Sequence, residues 1–129
     1  MDIMAALAPT RDLSQAGKYS EALSSLSDLW ATIPDPKEDT KNSYLIVAYG
    51  VRISQKSGDL EQAWKWAQRA LPYSGSFNLA GESEFLVGEI ACARGDEEIA
   101  RHYFRMVRKN SGKRLFKGKD PKYLELSGG

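Results

Sequence analysis

The chain of 129 residues carries 18 basic and 17 acidic side chains, one cysteine and one histidine. That length suits one domain with a sizeable core, and fractions of 42% hydrophobic and 27% charged exclude a disordered or fibrous chain. Cys92 alone excludes an intramolecular disulfide and a cysteine-based metal site, and His102 alone excludes a multi-histidine one.

The longest apolar run, Tyr44 to Val51, falls far short of the ~20 residues that cross a bilayer. Asp2 stands where a secretory signal would carry positive charge. A cytoplasmic location is the expectation, and a lone thiol agrees with a reducing compartment.

Ile3, Ala6, Leu7 and Leu13 predict a first helix over residues 3–16, with Pro9 near its start or distorting it. Ala22, Leu23, Leu26, Leu29, Trp30 and Ile33 recur at spacings of one, three and four, the stripe of a second amphipathic helix. Pro34 to Thr40 is a polar connector. Residues 41–56 are apolar nearly all round, as in a helix packed on several sides; their β-branched content would also suit a strand, but the run is long for one.

Ser57-Gly58 ends that helix and Asp59 caps the next, with Gln62 in the capping-box position. The fourth helix has the expected stripe Leu60, Ala63, Trp64, Ala67, Ala70 and Leu71, which leaves Trp66 on the opposite face, and it breaks over Pro72 to Ser76. The fifth, residues 77–94, mixes Phe85, Leu86 and Ile90 with small residues that let helix axes approach closely. Asp96 is the expected cap of the sixth, whose stripe is Ile99, Ala100, Tyr103, Phe104 and Val107. Asp120-Pro121 opens a short final helix.

One frame recurs through this order. Gly17…Ala22, Gly58…Ala63 and Gly95…Ala100 each place an Ala five positions after a Gly, between two helical stretches, and the glycines lie 41 and 37 positions apart. The pattern resembles the tetratricopeptide repeat, a unit of about 34 residues with a Gly in the turn, an Ala five later and a bulky residue four beyond. The matching positions are Gly17, Ala22, Leu26 and Pro34; Gly58, Ala63, Ala67 and Ala70; and Gly88, Gly95, Ala100 and Phe104. Lys18 departs from the Asp usual in the turn, Pro72 comes early, and the tryptophan expected early in a first helix is absent.

The fold class implied is all-α: a single-domain solenoid of about three antiparallel hairpins (units 3–34, 41–72 and 77–110) with a short C-terminal capping helix. A plain bundle of helical hairpins is the alternative. Residues 113–126 are placed to cover the last hairpin, with Leu115, Phe116, Tyr123 and Leu124. The resemblance also implies a concave partner-binding groove on the first helices, lined by Arg11, Tyr44, Arg52, Glu82, Phe85 and Glu89, with Leu7 and Ala48. It lacks the Lys and Asn set with which chaperone-binding members grip a terminal carboxylate.

Nothing composes a catalytic, metal or cofactor site. Glu82, Glu84 and Glu89 read as a solvated acidic surface, and Cys92 as a buried thiol. Charge is segregated instead: residues 101–122 hold nine Lys or Arg against Asp120 alone, a net of +8, leaving −7 elsewhere. The resulting basic patch comprises Arg105, Arg108, Lys109, Lys113, Arg114, Lys117 and Lys119. A non-enzymatic module binding a protein or peptide partner with an acidic surface is the expectation, with a nucleic-acid-associated adaptor as the alternative. The tail from Lys113 to Leu124 is similar to those of small bacterial immunity proteins and secretion accessories.

Overall fold

The computed structural model describes residues 2–74 and 81–128. Among them every regular element is helical: α1 (Ile3–Ala6), α2 (Ala8–Gln15), α3 (Tyr19–Thr32), α4 (Tyr44–Lys56), α5 (Leu60–Gln68), α6 (Glu82–Ala93), α7 (Glu97–Ser111) and α8 (Pro121–Leu126). None is long and apolar enough to cross a membrane. The expected start of the fifth helix, residues 77–80, lies outside the described residues. The chain divides into two compact units, Met1–Trp66 and Ala67–Gly129.

The Gly frame forms the same joint three times. Gly17, Gly58 and Gly95 have φ of 77°, 77° and 84°, a left-handed conformation that costs an L side chain about 1–2 kcal/mol. In each, the amide after the glycine reaches back over the last turn: Lys18 N to Leu13 O, Asp59 N to Ser54 O and Asp96 N to Ala91 O, all at 2.9 Å. The glycine amides bond Ser14 O, Gln55 O and Cys92 O at 3.0–3.1 Å. This pair of bonds is the Schellman closure, which satisfies carbonyls that a helix end leaves orphaned. Ala22, Ala63 and Ala100 are fully buried one turn into the following helix.

In the first unit the proline sets the opening. Pro9 falls in the first turn of α2, where its missing amide costs nothing, so the expected first helix is two pieces that meet at Leu7. Thr10 of α2 and Ser25 of α3 exchange a hydrogen bond at 3.0 Å. The connector after α3 is built rather than merely polar: Lys37 Nζ donates to Trp30 O at 3.0 Å and Ile33 O at 2.6 Å, closing the negative end of the helix.

Core packing is the expectation for both tryptophans of α5, and the structure gives it to Trp66 more fully than to Trp64 of the expected stripe. Trp66 is buried at 1% exposure and Trp64 is only half-buried. A Cβ on Gly50 would come within 2.2 Å of the Trp66 ring, so α4 lacks a side chain where α5 inserts its indole. Trp30 meets the same ring edge-on at 6.0 Å.

The second unit repeats the device. A Cβ on Gly88 of α6 would approach the Phe104 ring of α7 to 2.8 Å. Around Phe104 gather Phe85 at 5.3 Å, Tyr123 at 5.0 Å and Phe116 at 5.8 Å, pairs worth about 0.5–1.5 kcal/mol each beyond their buried area. Phe116 and Tyr123 belong to the C-terminal segment, which covers α6 and α7 within this unit. Asp120 Oδ1 caps α8 through Lys122 N at 3.0 Å.

Asp59 also caps, accepting from Gln62 N at 3.0 Å. Asp96 does not: at the corresponding position its carboxylate pairs with Arg94 at 3.1 Å and leaves the α7 amides. Ile99, expected in the α7 stripe, is exposed.

Two glycine substitutions should separate the two roles. Gly58→Ala meets no atom and should cost only the backbone strain, about 1 kcal/mol. Gly50→Ala must displace the Trp66 ring and should cost more, up to about 3 kcal/mol. Urea unfolding checks this, with equal slopes for both variants and the lower midpoint for Gly50→Ala.

Candidate functional site

Two first-of-hairpin helices in the first unit, α2 and α4, line an open cleft of about 220 Å³. From α2 come Arg11, Ser14 and Gln15; from α4 come Tyr49, Arg52, Ile53 and Lys56. On each helix these residues fall at spacings of one, three, four or seven, one face of a 3.6-residue period. Three cations thus meet around a half-buried tyrosine, and no Asp or Glu stands among the described lining residues.

Both guanidiniums are tethered by hydrogen bonds. Arg52 Nη1 donates to Gln55 Oε1 at 2.8 Å and Arg11 Nη1 reaches Met4 O at 3.5 Å. Neither acceptor carries charge. Arg52 and Lys56 are a like-charged pair four residues apart, an arrangement that destabilises a helix by a few tenths of a kcal/mol. Such a set favours an anionic group, which an Arg receives with two parallel hydrogen bonds.

Of the six groove residues the sequence proposed, Arg11 and Arg52 share this cleft. Tyr44 lies half-buried near the start of α4, outside the lining. Glu82, Phe85 and Glu89 lie on α6 in the second unit. Phe85 is 5% exposed and belongs to the aromatic core, in contact with Phe104, Phe116 and Tyr123. Leu7 is likewise fully buried. Tyr49 and Lys56 join them outside the expected groove set, and their spacing from Arg52, three before and four after, puts them on its face.

The α6 carboxylates are not one solvated surface. Glu82 and Glu89 are half-exposed, whereas Glu84 is buried, its Oε1 accepting from the Ser74 hydroxyl. Cys92 is half-buried.

All seven residues of the basic patch lie in the second unit. Lys119 Nζ stands 5.8 Å over the Phe85 ring, a cation–π contact. Arg105, Arg108, Lys109, Lys113, Arg114 and Lys117 have no ion pair among the described residues. Glu97 serves two other cations, Lys122 at 3.2 Å and Arg101 at 3.8 Å. Its hydrogen bond raises the Lys122 pKa above the ordinary value. A raised folded-state pKa means that the bridge is intact below the unfolded value and is lost only as pH rises through the raised one.

Among the described residues no three His, Cys, Asp or Glu side chains converge as a metal site. No family model, curated protein or solved structure matches the chain.

Lys56 is exposed and carries the same charge as Arg52 one turn away, so Lys56→Gln should shift folding stability by less than about 0.5 kcal/mol. Thermal unfolding at low and high salt checks this.

Proposed function

We propose that the chain is a repeat-like, tetratricopeptide-type helical module without catalytic activity, which binds an acidic segment of a protein partner. The observation that carries this reading is the convergence of Arg11, Arg52 and Lys56 around Tyr49 on two first-of-hairpin helices, with no carboxylate among the described lining residues. Three joints of one geometry support the repeat, and the cleft faces support the groove. Its chemistry suits a chain terminus or paired acidic side chains: two guanidiniums and an ammonium supply charge-assisted donors, and the tyrosine supplies a flat apolar wall. The similarity of the Lys113–Leu124 tail to those of bacterial immunity proteins and secretion accessories makes a cytoplasmic role of that kind the best specific form of the proposal.

A nucleic-acid adaptor is the second reading, favoured by the six basic-patch cations that have no ion pair among the described residues. The two readings differ in which residues matter. Fluorescence anisotropy with acidic peptides, ending in a free or amidated carboxylate, should show binding that falls roughly tenfold or more in Arg11→Glu/Arg52→Glu and is retained in Arg114→Glu/Lys117→Glu. Tighter binding of a single-stranded oligonucleotide, with a steep salt dependence abolished by the second variant, would replace the first reading by the second.

A further inference from the structure

A second cleft, of about 450 Å³, runs along the outer face of α7 and is lined by Glu98, Arg101, His102, Arg105, Met106 and Lys109. These six make two adjacent rows. Arg101, Arg105 and Lys109 succeed one another every four residues, about 6 Å apart along the axis, and Glu98, His102 and Met106 form the neighbouring row at the same interval. Rows at intervals of four are the ridges between which a second helix packs.

The cationic row is exposed along its length, while Met106 in the floor is half-buried. Arg101 pairs with Glu97 at a loose 3.8 Å. Arg105 and Lys109 have no ion pair among the described residues. The buried stripe of α7, Ala100, Phe104 and Val107, is already satisfied within its own unit by α6 and the C-terminal segment. The second face is therefore surplus to folding.

We infer that this face is a docking surface for an acidic amphipathic helix of a protein partner. Carboxylates spaced four residues apart on such a helix fall at the same ~6 Å interval as Arg101, Arg105 and Lys109. An apolar residue on the adjoining row of that helix packs on Met106, whose flexible thioether adapts to it. Glu98 at one end repels a purely anionic ligand such as a phosphate backbone and sets the register of a helix that carries one cation there. The surface shares no residue with the α2–α4 cleft, and the inference does not rest on that site.

The test uses a lactam-bridged helical peptide with glutamates at three positions four residues apart and leucines on the adjoining row. Its control is a peptide of identical composition with the glutamates spread around the helix. The full chain should bind the ordered peptide at least about tenfold more tightly than the control. Arg101→Glu/Arg105→Glu should remove that preference, Met106→Ala should weaken binding with no change of charge, and Arg11→Glu/Arg52→Glu should leave it unaltered. Equal binding of the two peptides, no binding, or insensitivity to the α7 variants would overturn the proposal. So would tighter binding of a thymidine oligonucleotide, or self-association of the chain that these variants abolish, since either would assign the face to another occupant.

Discussion

The left-handed glycine joint is the constraint on which the remaining structure depends. At Gly17, Gly58 and Gly95 the chain closes one helix with the same two hydrogen bonds and begins the next within two or three residues. Because the turn is that short, the two helices must run back alongside each other. The fully buried Ala22, Ala63 and Ala100 then let the second helix lie close against its neighbours. Sequence thus fixes turn, turn fixes hairpin, and the hairpin decides which side chains of its first helix are left to face outward. Lys18, Asp59 and Asp96 occupy the same place after the glycine, yet only Asp59 caps, its carboxylate accepting from a first-turn amide. Backbone geometry, rather than the cap, is what the three joints share.

Within each unit an aromatic from the second helix of a hairpin presses on a glycine of the first: Trp66 on Gly50, Phe104 on Gly88. A helix-interior glycine costs about 0.5–1 kcal/mol of backbone entropy relative to alanine. Burying a tryptophan or phenylalanine offsets that cost several times over; truncating such a ring to alanine costs about 3–5 kcal/mol. The aromatic cluster of the second unit extends the same logic to the C-terminal segment, where Phe116 and Tyr123 bring a strongly basic stretch onto the core. Packing therefore explains why that stretch is ordered, but not why it is so basic.

Local signals made the helices and joints legible. Gly, Pro and the apolar period act within a few residues, so the expected bounds of α3, α4 and α7 fall close to the observed ones, and Pro9 announced the break between α1 and α2. What depended on a distant partner was not legible. For α5, both a stripe through Trp64 and one through Trp66 satisfy a helical period; the missing side chain at Gly50, sixteen residues away, selects Trp66. Asp96 has the sequence of a cap, but Arg94 competes for its carboxylate. Phe85 has the position of a groove residue, but Phe116 and Tyr123 bury it. Glu84 is covered through the same long-range packing, which helical spacing alone does not disclose. In the cleft, Arg11 and Arg52 stand at groove positions of the repeat that the chain resembles, and the spacing of Tyr49 and Lys56 from Arg52 puts them on the same helix face.

The proposed function turns on cations that the first unit gathers on one cleft. Arg11, Arg52 and Lys56 converge without a carboxylate among the described lining residues, and like charges held together oppose folding slightly rather than support it. An anionic partner is the physical complement of that arrangement. The most direct measurement is an amide and side-chain NMR titration of the full chain with an acidic peptide too short to form a helix, and so unable to occupy the α7 face. The account predicts saturable shifts confined to Arg11, Tyr49, Arg52, Lys56 and their neighbours on α2 and α4. Shifts that bypass those helices, or that spread over every exposed cation without saturating, would contradict it.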